Sequence, residues 1–321
     1  FVTAARGLGA PPTLATTLST SGQTVLGGQA ALPPAHLPFV MKSRELARLQ
    51  SHLDRALAGQ SQIVFVTGEA GSGKTTLLLE FARRAQARQR DLIVAGGSCN
   101  AFSGQGDPYL PFRDAMIMVL GDAEGQWTHA LAAPYPALYK GLLPHLARAL
   151  LTSGPDVVEV LAPAHLLLQR ANANPSSAAN DWPSQLRQLI TQQRARTTQP
   201  APKQLFEQIR LVLEALAKQQ PLLLLLDDLQ WADTASLNLL FHLGQRLTES
   251  RLLIVGAFRP SEVHAWRGGD EQGGTPHPLL LVRNELQRRF GELEIGLDHD
   301  SPTEGRAFVD ALVDTEPNRL D

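Results

Sequence analysis

Hydrophobic residues along the chain alternate between short continuous runs and longer stretches in which apolar residues lie three or four positions apart. The runs predict strands, because strands buried on both faces of a parallel sheet carry almost uninterrupted apolar residues. These strands are expected at residues 63–67, 91–96, 222–226, 252–258 and 293–297. The helical spacing predicts a helix capped by Ser43 that runs to Leu57, and further helices at residues 76–82, 112–120, 144–151, 157–169, 205–218 and 234–247. Strands that alternate with helices indicate an α/β fold built on a doubly wound parallel sheet.

The spacing of these elements also divides the chain. About 125 residues run from Gly96 to Pro221, more than a strand-to-strand connection needs, so we expect a large helical insert at about residues 99–220. Among residues 1–37 the only Lys, Arg, Asp or Glu is Arg6, and this segment predicts a linker or the end of a preceding domain. The main domain is therefore expected at residues 38–298. Residues 299–321 contain the helix start Asp300-Ser301-Pro302 and predict the beginning of a further helical element.

A glycine-rich loop follows the first predicted strand and precedes a predicted helix. Its sequence at residues 68–75, G-E-A-G-S-G-K-T, matches the pattern G-x-x-x-x-G-K-[ST]. The glycines let backbone N–H groups surround phosphate oxygens, and the N-terminus of the helix adds partial positive charge. Lys74 is expected to reach the β- and γ-phosphates, and the Thr75 hydroxyl to bind Mg²⁺. The predicted nucleotide-binding residues are Gly68, Glu69, Ala70, Gly71, Ser72, Gly73, Lys74, Thr75 and Thr76.

Two carboxylates follow the apolar run at residues 222–226. Ligands of α/β proteins bind at the carboxyl ends of parallel strands, so Asp227 and Asp228 are expected at the edge of the sheet where the glycine-rich loop lies. Asp227 is the predicted partner of Mg²⁺, directly or through a water, because this ion prefers hard oxygen ligands. Asp228 is then placed to orient or deprotonate an attacking water. The two motifs together predict Mg²⁺ as the cofactor.

Composition narrows the range of partners. Hydrophobic residues make up 43% of the chain and charged residues 19%, which indicates a folded protein with a sizeable core. The net charge of −2 gives no overall field that attracts nucleic acid or an anionic membrane. Arg187, Arg194 and Arg196 form a modest basic patch, but no aromatic residues interleave with it, which favours a solvated face over a nucleic-acid site.

The cysteine count, the lack of long apolar stretches and the start of the chain bear on where in the cell the protein is expected. Cys99 is the sole cysteine, so no intramolecular disulfide can form, which suits the cytoplasm. No apolar stretch approaches the roughly 18 residues of a membrane helix. The chain begins at Phe1 without the features of a signal peptide, and we expect it to be a piece of a longer protein.

With both motifs placed, the chain resembles the STAND class of AAA+-related P-loop ATPases, most closely the bacterial branch joined to transcriptional regulators and nucleotide cyclases. The stretches that carry the resemblance are Pro38-Phe39-Val40, the loop at residues 68–75, the sequence LLLLDDLQWAD at residues 223–233, and Gly256-Ala257-Phe258-Arg259-Pro260. Residues 106–112 also resemble a segment of cyclase-linked members. Where members of this class continue Phe-Val with Gly-Arg-Glu, this chain has Met41, Lys42 and Ser43.

The resemblance implies an ATP-binding, slowly hydrolysing regulatory switch. Lys74, Asp228 and Arg259 are then the expected catalytic residues, with Arg259 sensing the γ-phosphate from the end of the strand after Asp227. It also implies ATP and ADP as ligands, nucleotide-dependent self-association, attached sensor or output domains outside this chain, and a helical lid or winged-helix region that begins near Ser301. Neither a membrane nor a direct nucleic-acid site is expected.

Other readings of the same residues remain open. Arg259 is otherwise an ordinary solvated arginine, and Asp233 has the position of a simple helix N-cap. At the level of function, the alternatives are a motor-type remodelling ATPase and a nucleotide-binding scaffold that never hydrolyses ATP.

Overall fold

The computed structural model of the protein describes residues 42–101, 107–121, 127–173, 181–196, 200–247, 249–266 and 276–297. The predicted linker at residues 1–37, the segment at residues 38–41 and the predicted lid at residues 299–321 lie outside the described residues. The same holds for the expected domain boundaries at 38 and 298. The predicted insert at about residues 99–220 is described in most of its length.

A single parallel sheet forms the centre of the described structure. Its five strands are β1 Gln62–Thr67, β2 Ile93–Ser98, β3 Leu222–Asp227, β4 Leu252–Phe258 and β5 Glu294–Gly296. Their order across the sheet is β2-β3-β4-β1-β5, and every neighbouring pair is parallel. All residues of β3 and β4 are buried, as their continuous apolar sequences require. The predicted parallel α/β sheet is therefore confirmed.

Helices surround this sheet. The α-helices in the described ranges are α1 Ser43–Leu57, α2 Lys74–Arg88, α3 Leu110–Val119, α4 Pro136–Ser153, α5 Ala164–Ala173, α6 Trp182–Ala195, α7 Pro202–Gln219, α8 Thr234–Arg246, α9 Pro260–Ala265 and α10 Pro278–Phe290. The connection from β1 to β2 crosses the sheet in one direction, and the connection from β3 to β4 runs in the other. Because such crossovers are right-handed, α2 and α8 lie on opposite faces, which makes the sheet doubly wound.

The helices α3 to α7 form the insert between β2 and β3, and residues of this insert contact the outer edge of β2, the first strand in the sheet order. The Tyr139 hydroxyl on α4 donates to the carbonyl of Val94 at 2.6 Å and accepts from the Val94 N–H at 3.3 Å. The next outward N–H, that of Gly96, lies 3.3 Å from the sulfur of Met118 on α3. Side chains of the insert thus contact the outward N–H and C=O groups of β2, which a further strand would otherwise bind. These contacts protect this edge of the sheet from pairing with a strand of another chain.

The close approach of α3 to β2 requires a glycine. A Cβ atom at Gly97 would collide with the carbonyl oxygen of Pro111, which is a backbone atom and cannot swing aside. A Cβ atom at the neighbouring Gly96 would meet the ring of Trp127. Because successive strand residues point to opposite faces, both faces of β2 are in contact with the insert at this position.

Several predicted element boundaries differ from the structure. Ser43 is the first residue of α1, and Lys42 takes the N-cap position without a side-chain capping bond. The second strand begins at Ile93 instead of residue 91. The helix predicted to start at Pro144 starts at Pro136 and continues through Pro144, because its apolar face is buried on both sides of that residue. The helix predicted at residues 157–169 is correct only in its second half: a 3₁₀ turn covers Pro155–Val157, and α5 starts at Ala164, after Pro163.

Three helices, α6, α9 and α10, had no counterpart in the prediction. In α6 the buried residues Trp182, Pro183, Leu186 and Ile190 are sparse among Gln and Arg residues, so the apolar spacing is weak. The helices α9, Pro260–Ala265, and α10, Pro278–Phe290, each begin at a proline. None of the helices in the described ranges combines the length and apolar character needed to cross a membrane.

Candidate functional site

The glycine-rich loop joins the C-terminal end of β1 to the N-terminal end of α2. Gly73 stands immediately before α2 with φ of 86°, and Gly71 has φ of 79°, values at which a side chain would be strained. The loop is open to solvent at residues 69–71, whereas Gly68 is buried at the end of the strand. The first N–H groups of α2 have no partners within the helix, so this end can bind an anion.

Lys74 is folded over its own loop. Its Nζ atom donates to the carbonyl oxygens of Gly68 at 2.7 Å and Glu69 at 2.9 Å. Burial lowers the pKa of Lys74, and the positive charge of Arg259 lowers it further. The amine is thus held above the loop where a phosphate would sit, and its two bonds to carbonyl oxygens can be exchanged for bonds to phosphate oxygens.

Thr75, in the first turn of α2, contacts Asp227, the last residue of β3. The Thr75 hydroxyl donates to Oδ2 of Asp227 at 2.6 Å, and the N–H of Asp228 donates to Oδ1 at 2.9 Å. Asp227 is 2% exposed, and burial, followed by the negative charge of Asp228, raises its pKa. These are hard oxygen donors of the kind Mg²⁺ prefers, and a cation here would offset a carboxylate charge that burial disfavours.

Few protein ligands are available to such a cation. Within the described ranges, no three His, Cys, Asp or Glu side chains gather around a common metal position. This donor set still fits Mg²⁺, which commonly takes one or two protein oxygens and completes its shell with water and nucleotide phosphates.

Asp228 has an unusual backbone conformation. Its φ of 54° lies in the left-handed region, where a residue with a side chain is uncommon. One carboxylate oxygen, Oδ1, accepts from Nε2 of Gln230 at 2.8 Å and lies 3.7 Å from Nη2 of Arg259. Arg259 also pairs with Glu262 at 2.7 Å. The two residues predicted to be catalytic from different strands therefore lie side by side.

Two buried polar atoms near the loop have no hydrogen-bond partner among the described residues. They are the hydroxyl oxygen of Ser72, within the loop, and Nε of Arg259, at the end of β4. Unpaired buried donors are rare in proteins because each carries a desolvation penalty. Both could be satisfied by oxygens of a bound phosphate group.

The loop is also tied to α9. The Glu69 carboxylate accepts from the backbone N–H of Ser261 at 3.0 Å and from the Ser261 hydroxyl. These hydrogen bonds lower the pKa of Glu69. The loop motif includes Glu69 but gives no sign of this partner, which is 192 positions away in sequence.

Asp233 caps α8, as predicted. Its Oδ1 accepts from the N–H of Ser236 at 2.9 Å, and its other oxygen accepts from the Ser236 hydroxyl. That second oxygen also lies 3.3 Å from the N–H of Tyr109, so the cap connects the insert to the segment after β3.

Lys42, the lysine at the altered position of the N-terminal motif, binds the main chain. Its Nζ atom donates to the carbonyl of Leu297, just after β5, at 3.2 Å. The backbone N–H of Leu297 in turn donates to the carbonyl of Thr67 at 2.8 Å. Lys42 is therefore connected to the strand that precedes the glycine-rich loop.

Each arginine of the predicted basic patch contacts a neighbour within the protein. Arg187 donates to Asn172 at 2.7 Å, Arg194 to Glu159 at 2.8 Å, and Arg196 to the buried Asp156 at 2.6 Å. The patch therefore consists of arginines that hydrogen-bond within the insert.

The arrangement as a whole defines a class of protein. A parallel sheet, a glycine-rich loop at the N-terminus of a helix, and a carboxylate at the end of another strand that reaches the helix threonine define the fold of a P-loop nucleoside-triphosphatase. The AAA ATPase domain family matches the sequence in two overlapping segments, residues 38–149 and 123–255. The chain belongs to this family of nucleotide-binding ATPase domains.

Other proteins are similar over parts of their length. An uncharacterized protein of Rhizobium meliloti (strain 1021) is 24% identical over 229 residues, which is 71% of this chain and 19% of that protein. The chain thus spans about a fifth of that relative. The Aeropyrum pernix Orc1 protein, solved in complex with DNA, aligns with a TM-score of 0.43 and 16% identity over 90% of this chain and 54% of that one. Cdc6p from Pyrobaculum aerophilum aligns with a TM-score of 0.41 and 11% identity over 87% and 51%.

Proposed function

We propose that this chain is the ATP-binding module of a larger signalling or transcription-regulatory protein, and that it works as a slowly hydrolysing regulatory switch of the STAND class. The observation that carries the proposal is the convergence of five side chains at one edge of the sheet. They are Lys74, Thr75, Asp227, Asp228 and Arg259.

Each of these side chains has a role in ATP hydrolysis. The phosphates lie on residues 68–76, where Lys74 exchanges its carbonyl partners for β- and γ-phosphate oxygens. Thr75 and Asp227 hold Mg²⁺, which neutralises charge on the phosphate oxygens when it is bound. Asp228 orients or deprotonates the attacking water, and Arg259 stabilises charge on the γ-phosphate.

The regulatory part of the proposal rests on hydrogen bonds that nucleotide binding must change. Lys74 donates to two carbonyl oxygens of its own loop, and Glu69 accepts from Ser261 on α9. When phosphate attracts Lys74, the loop and α9 respond together, and this shift favours one arrangement of the attached domains over another. Self-association, the lid at residues 299–321 and a cytoplasmic location belong to the same proposal.

The experiment that tests the proposal measures ATP binding with and without Mg²⁺, together with single-turnover hydrolysis, on the purified chain. Lys74→Ala is expected to lower ATP affinity at least about tenfold, since it removes a charge-assisted contact to phosphate. Arg83→Ala, an exposed cation on the same helix, is the matched control and should bind ATP normally. Asp228→Asn should bind ATP and lose turnover.

The other outcomes identify the alternatives. Rapid multiple turnover would indicate a motor-type remodelling ATPase. Tight binding without any hydrolysis would indicate a nucleotide-binding scaffold. If Lys74→Ala bound ATP with wild-type affinity, the assignment of the nucleotide site to this loop would be wrong.

A further inference from the structure

Gln230 lies between the two candidate catalytic residues at the ends of neighbouring strands. Its side chain is 3% exposed and uses both ends of its amide. Nε2 donates to Oδ1 of Asp228 at 2.8 Å, and Oε1 accepts from the backbone N–H of Arg259 at 3.1 Å. An ionised carboxylate can only accept and a backbone N–H can only donate, so these partners fix the orientation of the amide.

The main chain of Gln230 is held as well. The residue lies in the 3₁₀ turn Leu229–Trp231, which the left-handed conformation of Asp228 initiates. Its carbonyl oxygen accepts from Nε2 of His277 at 3.1 Å, and Nδ1 of the same ring accepts from the N–H of Leu279 at the start of α10. The backbone of Gln230 is therefore held by His277, and its side chain by Asp228 and Arg259.

We propose that Gln230 is a positioning residue for ATP hydrolysis: it holds the Asp228 carboxylate and the end of β4, from which Arg259 projects, in fixed relation to each other. This inference rests on the proposed function, because it acts through Asp228. Gln230 itself touches neither the phosphate loop nor Lys74 through any hydrogen bond among the described residues. Gln230 therefore affects the rate of the hydrolysis step and does not affect the affinity for ATP.

A positional role differs from simple space filling. The Asp228 carboxylate accepts from the Gln230 amide at 2.8 Å, whereas its contact with Nη2 of Arg259 is longer, at 3.7 Å. The Gln230 amide selects one orientation with a hydrogen bond to a charged acceptor, the stronger kind of hydrogen bond. A replacement that fills the same volume without a donor at this point leaves only the longer contact with Arg259 to orient the carboxylate.

The first test compares Gln230→Met with the unmodified chain. Methionine has a similar length and removes both hydrogen bonds, so we expect kcat to fall about tenfold or more, with the Kd for ATP unchanged within about twofold. Thermal unfolding and the Kd together report whether the variant is folded. If Gln230→Met does not fold, Gln230→Asn carries the test, since it retains the amide but is one methylene too short to reach both partners.

Gln230→Glu separates positioning of Asp228 from support of β4. A glutamate can still accept from the Arg259 N–H, but its second oxygen faces the Asp228 carboxylate and repels it. If Gln230 only supports β4, this variant keeps most of the wild-type kcat. A positioning role for Asp228 requires kcat to fall at least as far as in Gln230→Met.

A double-mutant cycle distinguishes failure of this inference from failure of the proposed function. Single-turnover measurements with excess enzyme read the residual rate of Asp228→Asn, and in that background Gln230→Met should cause no further loss, because its partner in catalysis is gone. Additive losses would overturn the positioning role while leaving Asp228 as the catalytic carboxylate. Full hydrolysis by Asp228→Asn alone would instead overturn the proposed function. Wild-type kcat in a folded Gln230→Met variant would overturn the inference on its own.

Discussion

Thr75 donates its hydroxyl hydrogen to Asp227 at 2.6 Å, although 152 positions separate the two residues in sequence. Thr75 lies in the first turn of the helix after the phosphate loop, and Asp227 ends a strand that is two places in the sheet from the strand before that loop. The fold brings these oxygens together only because all strands are parallel and end at the same edge. This pair of oxygens is therefore where a bound Mg²⁺ is expected to meet the protein.

Asp227→Asn is expected to remove the Mg²⁺ dependence of ATP binding. In the unmodified chain, Mg²⁺ should raise ATP affinity, because the buried carboxylate and the Thr75 hydroxyl supply two of its oxygens. The asparagine keeps the shape but not the charge, so affinity in Mg²⁺ should fall to the Mg²⁺-free value. Titration calorimetry with and without Mg²⁺ measures both affinities. A full Mg²⁺ effect in Asp227→Asn would show that another group holds the ion.

Glu69→Ala is expected to loosen α9. This helix has six residues, too few to be stable without outside contacts, and its Ser261 N–H is bound by the Glu69 carboxylate. Removing that acceptor should increase amide hydrogen exchange at residues 261–265, as measured by mass spectrometry. Glu80→Ala is the matched control, since it removes an acidic residue from α2 that pairs with Arg84. Unchanged exchange in Glu69→Ala would mean that packing alone holds α9.

The pH dependence of stability should depend on His277. Burial lowers the pKa of His277, whereas the unfolded chain returns the ring to about 6.5. The unfolded state then binds more protons than the folded state near that pH, so stability falls as pH decreases from about 7.5 to 5.5. His277→Asn, which can still cap α10, should show a weaker fall in Tm over this range.

The exposed His264 supplies the control for this comparison. His264→Asn makes the same substitution on α9, where the side chain is solvated, and should leave the pH dependence as in the unmodified chain. Equal slopes of Tm against pH for His277→Asn and the unmodified chain would contradict the assignment. In that case another titrating group, such as the buried His52, must account for the pH dependence.

The sheet and the phosphate loop were predictable because their signals are local. An uninterrupted run such as Leu222–Leu226 has few alternatives to a buried parallel strand, and the loop motif specifies a strand before it and a helix after it. The contacts that complete the site are long-range. Glu69 meets Ser261 from 192 positions away, and no pattern within either segment indicates the pairing.

Gln230 shows the same limit within a recognised motif. It stands in the sequence LLLLDDLQWAD, so its place near the site was predictable, but its two partners were not. The amide reaches Arg259 because β3 and β4 are neighbours in the sheet. The order of strands is set by the tertiary fold and is not indicated by the sequence of this motif. The insert was also hard to predict, since Pro144 lies inside α4 where tertiary packing overrides local preference.

Tyr139→Phe is expected to destabilise the fold without weakening the nucleotide site. The hydroxyl removed by this change bonds both backbone groups of Val94 on the edge strand, far from the loop. Its loss leaves a buried N–H and a buried C=O unsatisfied, which costs about 1–3 kcal/mol each before any water enters. Urea unfolding should show a lower free energy of unfolding, and the Kd for ATP should remain unchanged. Tyr135→Phe, a partly buried residue just before α4, is the control and should have a smaller effect. If Tyr139→Phe is as stable as the unmodified chain, water replaces the hydroxyl at the edge of β2, and the insert is held there by its apolar contacts alone.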